Sequence, residues 1–174
     1  MVEQKKFSWK SLLGLSVLLF LLYGIFNVFA AIKVPTALHS MGSGAMGGLI
    51  VSNSADAKVL GQDLMSLPTT NQALNDYLVA YMDTMCMMMM GFGIFQVAIV
   101  WFALRKRQLW ALWTLALADL SFIPYWMNIA QTYSKYGISN GEVWAAFGSF
   151  FYVVIVAVVV ATIAGYWDIK KATK

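Results

Sequence analysis

A single cysteine, Cys86, leaves no partner for an intrachain disulfide, so no cross-link frames this fold. A single histidine, His39, cannot ligate a haem on two sides. No phosphate-binding loop, dinucleotide fingerprint or His-Glu-x-x-His run is present, so catalysis by this chain alone is not expected. Charge is scarce as well: 11% of residues are charged against 60% hydrophobic, which excludes an ordinary water-facing surface. Of the twelve Lys and Arg residues, nine flank apolar runs. They read as topology signals and not as a phosphate-binding patch, so nucleic acid is not an expected partner.

What the chain does have is long apolar segments. Thr84 to Leu104 and Leu109 to Ala130 are 21 and 22 residues long, joined by Arg105-Lys106-Arg107-Gln108. At about 1.5 Å of rise per residue, each helix would cross a hydrocarbon core of about 30 Å. Short turns rich in Lys and Arg stay cytoplasmic, so this hairpin enters and leaves from outside.

Lys5, Lys6 and Lys10 precede an uncharged run from Ser11 to Ile32, the expected first span. Val28-Phe29-Ala30 also resembles a signal-peptide cleavage site, but about 16 apolar residues before Asn27 exceed a usual signal core and favour retention. From 33 to 75 the chain turns polar and Gly-rich, with a short amphipathic helix expected at Ala55 to Leu67 and a stop and cap at Pro68-Thr69-Thr70. Val143 to Tyr166 is the last span, where Ala157, Ala161 and Gly165 put small residues on one face for close helix approach. The expected fold is therefore all-α: one polytopic domain over 1–174, an up-down bundle of four transmembrane helices. The spans fall near 11–32, 79–104, 109–130 and 143–166, with one extracytoplasmic loop at 33–75. Both termini face the cytoplasm of a cell-membrane protein, an arrangement that leaves only Lys33, Lys58 and Lys135 outside.

Within the spans, Asp119 lies near mid-bilayer and has no Lys, Arg or His in any span to pair with. An ionised carboxylate there costs about 2.5 to 3.5 kcal/mol on insertion scales, so a neutral or hydrogen-bonded state is expected. Folding the hairpin about its turn puts Asp119 at the depth of Ile94, two residues from Gln96, so a bond to Gln96 or Ser121 would pin the helices. Asn27, Asp83 and Asn128 fall in the outer third, and with Gln96 and Asp119 they make a candidate intramembrane polar site, open to the outside. His39, an isolated loop residue, is expected to face solvent.

Met82 to Met90 is the most unusual local composition. Met82, Cys86 and Met89 share a helical face, and the same folding brings Cys86 level with Met127. Thioether and thiolate ligands are soft, so these four residues form a candidate Cu(I) site, copper being the one cofactor the chain suggests. Packing is the simpler account, because methionine fills gaps between helices without a polar penalty.

Leu74 to Pro124 resembles the central part of small four-helix bacterial and archaeal membrane proteins of the DoxX-like kind. The likeness rests on an amphipathic lead into span two, Met90-Gly91-Phe92-Gly93, Arg105-Lys106-Arg107 and Trp110-Ala111-Leu112-Trp113. It covers about a third of the chain and implies a four-helix bundle, of a kind that sometimes partners an oxidoreductase; it transfers no catalytic residue. The expected function is a non-catalytic integral membrane subunit or scaffold, in contact with the lipid bilayer and with other membrane subunits or a second copy of itself. The alternatives are a small transporter or sensor with an outward-facing polar cavity, or a Cu(I)-binding membrane protein.

Overall fold

A computed structural model describes residues 7–146 and 148–172; Lys5, Lys6 and Lys174 lie outside the described residues. The described chain is helical, with no strand. Its helices are α1 (Leu12–Met41), α2 (Asn53–Leu60), α3 (Leu67–Thr70), α4 (Gln72–Phe102), α5 (Leu109–Leu120), α6 (Phe122–Ser134), α7 (Asn140–Ala146) and α8 (Gly148–Ala172). Among the described residues, three stretches are long and apolar enough to cross a membrane: Leu12–Met41, Gln72–Lys106 and Phe151–Ala172.

Helix α1 runs well past the expected end at Ile32. Lys33 is accommodated because its ammonium lies over the Phe29 ring at 5.7 Å, keeping the charge at the exposed surface. Pro35 removes one ladder donor, yet Thr36 back-bonds to the Ile32 carbonyl at 2.8 Å and Leu38, 1% exposed, packs inward. The helix stops at Gly42, whose φ of +87° suits glycine and whose N–H reaches the Leu38 carbonyl at 2.8 Å.

The third apolar run is not one helix but two. Pro124 has no N–H for the Leu120 carbonyl, and the chain yields there: Ser121 closes α5 by bonding the Ala118 carbonyl through its N–H and, at 2.7 Å, its hydroxyl. Pro124 then sits in the first turn of α6, where the missing donor costs nothing. The amphipathic helix expected over Ala55 to Leu67 is shorter, ending at left-handed Gly61, and begins at Ser52, whose hydroxyl accepts from the Ala55 N–H. Asn71, not Thr70, caps α4, its Oδ1 accepting from the Leu74 N–H at 3.2 Å. The basic turn is as short as expected, closed by a single 3-10 turn at Leu104–Lys106 and by Arg107 at φ 63°.

The chain sorts into two compact units: Met1–Asn27, Phe92–Ile123 and Phe150–Lys174 form the first, and Val28–Gly91 with Pro124–Ser149 the second. In the first, Leu13, Val17 and Phe20 of α1 and Val154, Val158 and Ala161 of α8 repeat at the four-and-three spacing of a helix face, meeting Leu112 and Leu115 of α5. The small-residue face of α8 is used here: a Cβ on Gly165 would meet Ser16 Oγ at 2.7 Å and Leu112 Cδ1 at 2.8 Å, and Ala161 is fully buried. Ala157 alone of that trio stays partly exposed. In the second unit Trp126, Ala130 and Tyr133 of α6 pack on Ala55, Ile138 and Val143.

Candidate functional site

The buried polar centre of the first unit is built on Gln96. Gly24 of α1 lies so close to α4 that a Cβ there would sit 3.0 Å from Val97 Cγ2 and 3.3 Å from Gln96 Cγ. That approach lets Gln96 Nε2 donate twice, to the Phe20 carbonyl of α1 at 3.1 Å and to Asp119 Oδ2 of α5 at 3.0 Å. One amide thus ties three helices together, and both Gln96 and Asp119 are 2% exposed. Bonds between helices of this kind contribute about 0.6 to 2 kcal/mol each. Gln96 Oε1 and Asp119 Oδ1 are also buried, and neither has a hydrogen-bond partner.

Of the five residues read as one polar cavity, the first unit holds Asn27, Gln96 and Asp119, and the second holds Asp83 and Asn128. Asn27 is buried but bonds within its own helix, Nδ2 to the Tyr23 carbonyl at 3.0 Å. Asn128 is exposed. Asp83 is engaged by an unexpected partner: His39, carried out of the loop by the extended α1, places Nε2 2.8 Å from Asp83 Oδ2.

The soft-ligand residues all fall in the second unit. Cys86 is buried, Met82 and Met89 are half-buried, and Met127 is 54% exposed. Among the described residues no three His, Cys, Asp or Glu side chains gather as a metal cluster.

Three polar arrangements escaped the sequence reading. Asp56, 2% exposed, accepts from the Leu49, Ile50 and Val51 amides at 2.7, 3.0 and 3.1 Å and from the Tyr133 hydroxyl at 2.6 Å. Burial and the Asp56 bond together push the Tyr133 phenol above its ordinary range, so it remains a donor. Arg107 Nη1 reaches Asp168 Oδ1 at 2.9 Å, while Asp168 Oδ2 takes the Leu13 N–H at 2.9 Å. Ser139 and Glu142 form a reciprocal cap on α7, and the bonds from the Ser139 backbone and hydroxyl, aided by Lys58, hold Glu142 below the usual carboxylate range. Only the last carried a local signature, Ser-x-x-Glu.

Chemically, the Gln96–Asp119 centre can pin helices or hold a proton; it presents no nucleophile beside a base. Compared with known proteins, the chain finds no counterpart, for no family model, no curated protein and no solved structure matches it.

Proposed function

We propose that this protein is a non-catalytic integral membrane subunit or scaffold that packs against a partner's transmembrane helix. The observation that carries the reading is the Gln96–Asp119 centre: the Gln96 amide nitrogen donates both to Asp119 Oδ2 and to the Phe20 carbonyl, tying α1, α4 and α5 together inside the first unit. Used in this way, intramembrane polar residues act as a fastener between helices. The partner's seat is an apolar groove of about 320 Å3 between α1 and α8, lined by Leu22, Tyr23, Phe26, Val153 and Ala157. Ala157 is among its lining residues, and a small residue there lets a neighbouring backbone approach closely.

The proposed topology is four spans with both termini cytoplasmic, the third crossing as the broken pair α5–α6 near 109–130. Irregular backbone is tolerated at membrane depth when its polar groups find partners, as Ser121 provides for the Ala118 carbonyl. Cysteine introduced at Ser54 is expected to label from outside and at Lys171 from the cytoplasm; labelling of both from one side ends this topology.

Native mass measurement after mild solubilisation is expected to find a second membrane protein, or a second copy, bound to the chain. Ala157→Trp, which fills the groove, is expected to cost at least tenfold in association while the helix content stays unchanged. A clean monomer from both the native chain and the variant would remove the scaffold reading.

A transporter or sensor is favoured by one observation, the two unpartnered acceptors Gln96 Oε1 and Asp119 Oδ1. The two readings part at Asp119→Asn. An isosteric amide still accepts from Gln96, so a scaffold is expected to lose no more than about 1 kcal/mol and to keep its partner. A protein that moves a proton or ligand through Asp119 would instead lose transport or binding with its fold intact.

A further inference from the structure

Three separate stretches of chain meet at one end of the first unit. The N-terminal stretch arrives through Phe7 and Trp9, whose rings lie 4.9 and 5.9 Å from the Arg105 guanidinium, and through the Leu13 amide on Asp168. The α4–α5 turn contributes Arg105, also 3.9 Å above the Trp101 ring, and Arg107, paired with Asp168 near the end of α8. Both arginines are therefore turned inward, one into an aromatic box and the other onto a carboxylate. Asp168, the acidic group at this end among the described residues, already carries a cation.

What faces solvent is ammonium. Lys10, Lys106, Lys170 and Lys171 are exposed, Lys170 lying over the Tyr166 ring at 4.9 Å. Beside them Trp9, Trp110 and Trp167 are 52%, 55% and 58% exposed, indoles placed as in the aromatic belt of a headgroup layer. A soluble acidic partner would have to cover those indoles and the bare apolar flanks of the helices next to them. A lipid does so without penalty, because its phosphate and its tail match the lysines and the apolar flank respectively.

We propose that this end of the first unit binds anionic phospholipids of the adjoining leaflet through Lys10, Lys106, Lys170 and Lys171. Lysine is a point charge on a flexible stem, whereas the planar arginine forks that would select one phosphate geometry point away. The site therefore distinguishes anionic from zwitterionic headgroups and does not select one anionic headgroup over another. Each lysine near such a surface strengthens binding roughly fivefold. The inference rests on membrane insertion and not on the scaffold reading.

The test titrates the intact detergent-solubilised protein with phosphatidylglycerol or phosphatidylcholine and counts retained lipid by native mass measurement. Phosphatidylglycerol is expected to be retained preferentially. The triple variant Lys10→Gln, Lys106→Gln, Lys171→Gln is expected to weaken that retention on the order of 100-fold. The matching variant of the second unit's cations, Lys33→Gln, Lys58→Gln, Lys135→Gln, should leave it unchanged. Equal retention of the two lipids overturns the proposal, as does an equal loss in both variants. Complete displacement by inorganic phosphate at matched charge would also overturn it, showing an anion site indifferent to lipid.

Discussion

Replacing Asp56 with alanine is expected to destabilise the second unit by roughly 3 to 5 kcal/mol, the steepest single loss outside the Arg107–Asp168 pair. The carboxylate accepts three consecutive backbone amides and one phenol, filling the roughly four lone-pair sites it owns. Its removal strands those donors at once. Leu49 and Val51 are only half-buried, so water restores part of the loss, which keeps the cost below the sum of four orphaned groups at about 1 to 3 kcal/mol each. Asp56→Asn keeps the shape but turns two donors toward donors, and about half the loss is expected. Tyr133→Phe removes one bond and should cost about 1 to 2 kcal/mol. The tyrosine's share also has a pH signature. Its phenol is raised above the unfolded value of about 10, so its contribution is complete below that pH and falls away as pH rises beyond it. Thermal unfolding in detergent, together with protease cutting at Gly47-Gly48, reads all three variants. An Asp56→Ala protein that melts and resists cutting like the parent would show the loop to be held by something else.

The contrast between Asp56 and the long helices shows what a sequence exposes. Apolar runs and flanking cations are local and cumulative, so α1, α4, α8 and the Arg105–Gln108 turn stand out from spacing alone. Pro124 was visible too, but the apolar run continues across it on both sides. Hydropathy does not register a missing N–H, so the division into α5 and α6 is hidden from any average. Lys33 and Pro35 gave the opposite error, looking like an end where a cation–ring contact and a back-bonded threonine carry α1 on to Met41. Gln96 and Asp119 were legible as a pair because folding the hairpin about its turn is itself a local operation. Asp83 with His39, 44 residues apart, and Asp56 with Tyr133, 77 apart, depend on how the loop returns to the helices, which no periodicity encodes. Ala157, Ala161 and Gly165 make a small-residue face by composition alone, yet its spacing is silent about which neighbour it meets. Two of the three turn out to pack on helices of the same chain.

Arg107→Ala and Asp168→Ala are each expected to cost about 3 to 5 kcal/mol, because either change leaves its partner's charge stranded in a largely closed site. The two side chains are 12% and 13% exposed. Asp168 also holds the first turn of α1 through the Leu13 N–H, so its loss releases an orphan helix donor as well as the guanidinium. Losing both charges together should hurt less than losing either one. Arg107→Met with Asp168→Leu is expected to recover at least half of the single-variant loss, since an apolar pair of similar volume removes the stranded charge. Backbone and charge can be separated at the same position. Arg107 sits at φ 63°, a conformation that costs a side-chain-bearing residue about 1 kcal/mol and glycine little. Arg107→Gly is therefore expected to be about 1 kcal/mol more stable than Arg107→Ala while still well below the parent. Chemical unfolding of the five proteins in one detergent decides the matter. If the two single losses simply add in the double variant, the arginine and the aspartate are not coupled, and the clasp holding α1, the basic turn and α8 together owes its stability to the surrounding packing alone.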